Sequence, residues 1–83
     1  MDIKVLGPGC AKCRALEKQV RGVVTELGMD ATVEEVKDMV KIMEYKVMMT
    51  PGLVIDGRVV SSGQVPSRGD VRKIIEEAGK RAS

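Results

Sequence analysis

The feature that most restricts this chain is a breaker cluster, Gly7-Pro8-Gly9, set between the short apolar run Ile3-Lys4-Val5-Leu6 and a helical repeat. The run reads as a strand, and Cys10-Ala11-Lys12-Cys13 opens the helix. Leu16, Val20, Val23 and Leu27 then recur at i, i+4, i+7 and i+11, which is one helical face. Gly28 supplies a C-terminal stop, while Gly22 inside the repeat weakens the helix slightly.

The remaining segments follow from the same cues. Residues 31–36 read as a second strand, with Ala31, Val33 and Val36 apolar. A second helix is expected from Asp38 to Val47, with Met39, Val40, Met43 and Val47 on its buried face. Pro51 must interrupt it. Leu53-Val54-Ile55 and Arg58-Val59-Val60 flank Asp56-Gly57, a hairpin signal because both central turn positions need positive φ. The last helix starts at Ser67, with Asp70 three residues on as a capping box, and buries Val71, Ile74, Ile75 and Ala78.

The order is therefore βαβαββα. Two β-α-β crossovers imply parallel neighbours, and the hairpin adds an antiparallel strand at one edge. The expected fold class is α/β, a four-stranded mixed sheet with helices on both faces. At 83 residues the chain is expected to form one domain, 1–83.

Composition matters where the core and the partners are concerned. Tyr45 is the one aromatic residue, so the core must come from Val, Ile, Leu and Met. Met39, Met43, Met48 and Met49 are accordingly expected as core filler rather than soft-metal ligands. Tyr45 reads as a half-buried helix residue or a partner contact, and Gly63 as a bulge or strand end. The 14 basic and 12 acidic residues are interspersed, and no basic stripe is expected along any one element. With stacking aromatics also missing, nucleic-acid binding is a poor fit. Lys37, Lys41 and Lys46 read as the solvated face of the second helix. No segment is long and apolar enough to span a membrane, and residues 1–6 read as a strand rather than a signal peptide. A cytoplasmic location is expected by default.

The chemistry centres on Cys10 and Cys13. In a cytosolic chain two cysteines imply redox chemistry or metal more often than a structural staple. There is no His, so one chain cannot close a four-ligand zinc site, although a zinc shared between two chains stays open. Cys10 lies near the helix N-cap, where unpaired amide donors and the positive end of the macrodipole favour an anion. Its pKa should fall below the free value of roughly 8.5, toward the ~3.5–7.5 range of such sites. Cys13 is one turn further in and more shielded, so it is the expected resolving thiol. Lys12 adds a small positive influence if its ammonium stays near the sulfur. Cys10 would attack a disulfide and Cys13 would resolve the mixed disulfide, an external donor restoring the dithiol.

Other readings place the pair differently. Heavy-metal-associated domains also carry Cys-x-x-Cys after a first strand, which would make this a soft-metal carrier. Those domains run βαββαβ and end in a strand, whereas this chain ends in an amphipathic helix. A non-enzymatic adaptor with incidental cysteines is the third reading.

Gly7-Pro8-Gly9-Cys10-Ala11-Lys12-Cys13, followed far downstream by Thr50-Pro51 and a hairpin, resembles the thioredoxin superfamily. More narrowly it looks like the small archaeal and bacterial thioredoxin/glutaredoxin-like redox-active disulfide proteins, over residues 1–80. The resemblance implies a thiol-disulfide oxidoreductase in which Pro51 is cis and faces the Cys10–Cys13 disulfide. It implies that the Thr50 backbone pairs with an extended substrate segment.

Two departures narrow it. Typical thioredoxins carry Trp-Cys-Gly-Pro-Cys and a buried acid on the preceding strand, where this chain has Lys4, read as solvated. Glutaredoxins bind glutathione through Gly-Gly-x-x-Asp after the hairpin, where Ser61-Ser62-Gly63-Gln64 stands here. The expected partners are protein disulfides, with a reductase or other thiol donor. No cofactor, nucleic acid or membrane partner is expected, and the chain is expected to be a monomer.

Overall fold

The computed structural model describes residues 1–47 and 49–81. Its elements are β1 (Asp2–Leu6), α1 (Ala11–Leu27), β2 (Thr32–Val36), α2 (Met39–Glu44), β3 (Gly52–Ile55), β4 (Arg58–Ser62) and α3 (Arg68–Arg81). The four strands lie in the order β2-β1-β3-β4. β1 and β2 are parallel, with Leu6 beside Val36, whereas β3 runs antiparallel to β1, with Leu6 beside Gly52.

That last pairing corrects the expectation of two parallel crossovers. α2 is only six residues long, and such a helix advances about 9 Å. A five-residue strand such as β2 is about 16 Å long. The connection therefore never returns the chain to the starting end of β2. β3 enters beside β1 from the end where β2 finished, and runs the other way.

The local chemistry of the other boundaries is as the residues dictate. Gly28 caps α1 in the left-handed region, its N–H returning to Thr25 and Val24 carbonyls. Asp56 and Gly57 take positive φ in the β3–β4 turn. The Ser67 hydroxyl accepts from the Asp70 N–H at 3.2 Å at the start of α3. Gly63 ends β4 at positive φ and donates its N–H to the Pro51 carbonyl at 2.8 Å.

Apolar residues fill both faces of the sheet, unequally. Alternation along β1 sends Ile3 and Val5 to one face and Leu6 to the other. On the first face they meet Leu53, Ile55, Leu16, Val20 and Val23 of α1, and Val71 and Ile75 of α3. Gly22 has a purpose there. A Cβ at Gly22 would lie 3.0–3.3 Å from the Arg68 guanidinium, which occupies that space on the helix backbone. Arg68 and Arg72 of α3 both reach Glu26 of α1, at 3.4 and 2.6 Å.

On the second face Leu6, Val36, Val54 and Ile42 of α2 form a smaller cluster, with Tyr45 and Val47 packed on it. Here the expected burial of α2 fails. Met39, Val40 and Met43 are 52%, 67% and 67% exposed. A six-residue helix capped by Asp38 turns only Ile42 fully onto the sheet. Met49 is exposed too, and Met48 lies outside the described residues. Met39, Met43 and Met49, expected to fill the core, are exposed instead. Among the described residues, no helix is long and apolar enough to cross a membrane.

Candidate active site

β1 runs out at Leu6, and the chain turns through Gly7, Pro8 and Gly9 before α1 begins. Gly9 adopts φ +91°, a conformation that favours glycine. Cys10 is the N-cap of α1, in extended backbone, and no acidic side chain occupies the first turn. The thiol therefore takes the place that Ser or Asp fills in other helices. Its Sγ accepts the Cys13 backbone N–H at 3.3 Å.

The two cysteines, both free thiols, differ in every physical respect. Cys10 is exposed and Cys13 is buried. A hydrogen bond from the Cys13 thiol, and then the first-turn backbone amides, hold the Cys10 pKa below the ordinary thiol value. Burial pushes the Cys13 thiol up, and its bond to Cys10 pushes it further. The sequence argument from the helix start finds the right direction, but the largest cause is the partner thiol. The Lys12 contribution is a backbone N–H, so its exposed side chain is not what lowers Cys10.

Gly7 is the residue that sequence reasoning missed. It is buried, and a Cβ there would overlap the Cys13 Sγ. Its N–H donates to the Val36 carbonyl at 2.9 Å, fixing the end of β1 against β2. In the sequence it passes for an ordinary strand breaker. Only the buried sulfur beside it shows why the side chain must be absent.

Thr50 and Pro51 come to the same end of the sheet. Gly52 pairs with Leu6, which places Pro51 next to Gly7 across the β1–β3 ladder. The Thr50 Cβ lies 4.0 Å from the Cβ position of Gly7, the same glycine that borders Cys13. The Thr50–Pro51 peptide is cis. Pro51 is buried and Thr50 half-buried. Met49 covers the neighbouring Gly63, whose Cβ position is 3.1 Å from the Met49 Cβ.

Two lysines also find their places. Lys4 is half-buried and pairs with Asp2 at 2.9 Å, which raises its pKa. It stands in the middle of β1 with its ammonium tied back to Asp2, and does not substitute for a buried acid. Among the described residues no charged or polar side chain is buried at all, counting Cys13 as apolar. Lys37 is not on α2. It lies in the β2–α2 connection, its Cε 3.8 Å and Nζ 4.0 Å from the Cβ position of Gly9. No group of three or more His, Cys, Asp or Glu side chains placed to hold a metal is found among the described residues.

A strand-ending glycine, a Cys-x-x-Cys that caps a long helix, and a cis proline beside it are now placed together. A thioredoxin-domain family model matches residues 1–76. The chain belongs to the thioredoxin family. Among its relatives is a thioredoxin of Methanothermobacter thermautotrophicus, 43% identical over 75 residues, covering 90% of this chain and 97% of that protein. A thioredoxin of Methanocaldococcus jannaschii is 37% identical over 71 residues, covering 86% of this chain and 81% of that protein. The expected thioredoxin-like α/β fold is the one observed, and the family is one of thiol-disulfide oxidoreductases.

Proposed function

We propose that this thioredoxin-family chain, acting as one domain, reduces protein disulfides with Cys10 as attacking and Cys13 as resolving thiol. The observation that carries this reading is the asymmetry of the pair. One thiol is exposed with a lowered pKa, and the other is buried one turn behind it with a raised one.

The Cys10 thiolate attacks one sulfur of the substrate disulfide. A bond forms between the two sulfurs, the substrate S–S bond breaks, and the departing thiolate takes a proton from water. Cys13 then attacks the Cys10 Sγ, closing the Cys10–Cys13 disulfide and releasing the second substrate sulfur, which takes up the Cys13 proton. The substrate gains two electrons and two protons; the protein supplies both electrons and the Cys13 proton, and water supplies the second proton, replacing the one Cys10 lost on ionising. A thiol donor or a reductase restores the dithiol. With no buried acid nearby, the departing substrate thiolate is the base at hand for Cys13. Thr50 and Pro51 would border the bound substrate segment, the Thr50 backbone pairing with it. Lys12, exposed beside Cys10, would shape the rim.

Reduction of insulin disulfides, driven by dithiothreitol, tests this. Cys10→Ser is expected to abolish the protein's contribution, and Cys13→Ser to stop after one turnover as a trapped mixed disulfide. Undiminished activity in Cys10→Ser would sink the proposal. Iodoacetamide labelling of the reduced protein adds the pH dependence. A lowered pKa means the thiolate is already populated below the ordinary thiol range. Cys10 labelling should therefore rise with pH earlier than a free cysteine does, and Cys13 labelling should lag behind both.

A further inference from the structure

The composition suggests no basic stripe on any element, but the fold makes one. Arg14, Lys18 and Arg21 lie on a single flank of α1, at i, i+4 and i+7, and line a shallow groove of about 340 Å³ together with Glu17. Glu17 is the one acid lining it, and it is tied down by Arg21 at 3.0 Å. The Arg21 Nη2 is also held, donating to the Val33 carbonyl of β2 at 3.2 Å. Glu35 of β2 faces Glu17 from the strand side, and Lys37 follows it toward Gly9. Arg14 and Lys18 form no ion pair among the described residues, and neither does Lys12 at the head of the helix.

The stripe leads to the reactive thiol. The Arg14 N–H bonds the Cys10 carbonyl, so Arg14 is one turn from Cys10 and Lys18 two. That is about 12 Å along the axis, the reach of about four extended residues. Asp2 and Asp56 meet at the opposite end of the sheet, where the Asp2 N–H donates to the Asp56 Oδ1 at 2.8 Å, and Asp30 lies beside Met1 there.

We infer that the Arg14–Lys18–Arg21 groove docks an acidic segment of the disulfide-bearing partner, three or four residues from the cysteine that Cys10 attacks. This rests on the proposed disulfide reduction and names the substrate class it prefers. Charge complementarity fixes the occupant. Arg14 and Lys18, unpaired among the described residues, flank an approach path to an exposed thiol, and of the two acids beside it Glu17 is held by Arg21 while Glu35 lies behind Glu17 on β2. Such an arrangement raises encounter rates with a negative segment and loses that advantage in salt.

The test uses two synthetic peptides, each with one intramolecular disulfide. They are identical except for a Glu-Glu or a Gln-Gln pair three and four residues from the first cysteine. The reduced protein is mixed with each, and the second-order rate is measured at about 20 mM and about 500 mM salt. The Glu peptide should react roughly 10-fold faster at low salt, and the ratio should fall to about 2 at high salt. Arg14→Glu should bring the low-salt ratio near one. Arg58→Glu, the same charge change at the start of β4, should leave it near its original value. Equal rates for the two peptides, or an equal loss in both variants, would overturn the groove as the cause. If neither peptide is reduced faster than by Cys10→Ser, it is the reductase reading that fails instead.

Discussion

Nine buried residues from β1, β3, α1 and α3 make one cluster on the first face of the sheet. Four, from β1, β2, β3 and α2, make the cluster on the second, among the described residues. The first face is roofed by helices of 17 and 14 residues that are also joined by the Glu26–Arg68 and Glu26–Arg72 pairs. The second is roofed by a helix of six residues that buries Ile42 alone. Burying a Leu, Ile or Val contributes about 1.5–3 kcal/mol, so most of the stability resides on the α1/α3 side. The attacking thiol stands at the start of α1, on the well-anchored side. The cis-proline turn follows from the lightly anchored one. The site thus joins the more densely packed half of the molecule to the more sparsely packed one.

Substitutions can break that comparison. Leu16→Ala, in the larger cluster and fully buried, should have the largest effect, a loss of about 3–5 kcal/mol read from the urea midpoint. That is a large share of the stability a domain of this kind possesses. Ile42→Ala should cost less, about 2 kcal/mol, because a short surface helix can settle into the space left behind. A loss from Ile42→Ala equal to that from Leu16→Ala would show the two faces to be equally important. Glu26→Gln should have the smallest effect, about 0.5–1 kcal/mol, since both ion pairs are about half exposed. Thermal melts at low and high salt check it, and the difference from the parent protein should shrink as salt rises.

How much of this was legible beforehand depends on whether the cause is local. The α1 face, the Asp56-Gly57 turn, the Ser67 cap and the placement of Cys10 all follow from residues within one or two turns of each other, and periodicity and capping rules find them. The direction of β3 was not local. It depends on how far α2 carries the chain, and the apolar run through Val47 made α2 look longer than six residues. The same error buried Met39 and Met43, which a helix of ten residues would have turned inward. Gly7 and Lys37 were invisible for a related reason. Each is explained by a residue outside its own segment, Gly7 by the Cys13 sulfur inside α1 and Lys37 by Gly9 ahead of that helix. The basic flank of α1 was hidden by counting charges along the chain instead of around the helix.

Tyr45 ends α2 and packs on the smaller cluster, and it is the only aromatic side chain in the molecule. The protein therefore carries a single intrinsic fluorophore, stationed on the sparsely packed face. Its emission is a local reporter of whether α2 is docked. Far-ultraviolet ellipticity, by contrast, comes mostly from α1 and α3. Two optical signals from one unlabelled chain thus look at opposite sides of the same sheet.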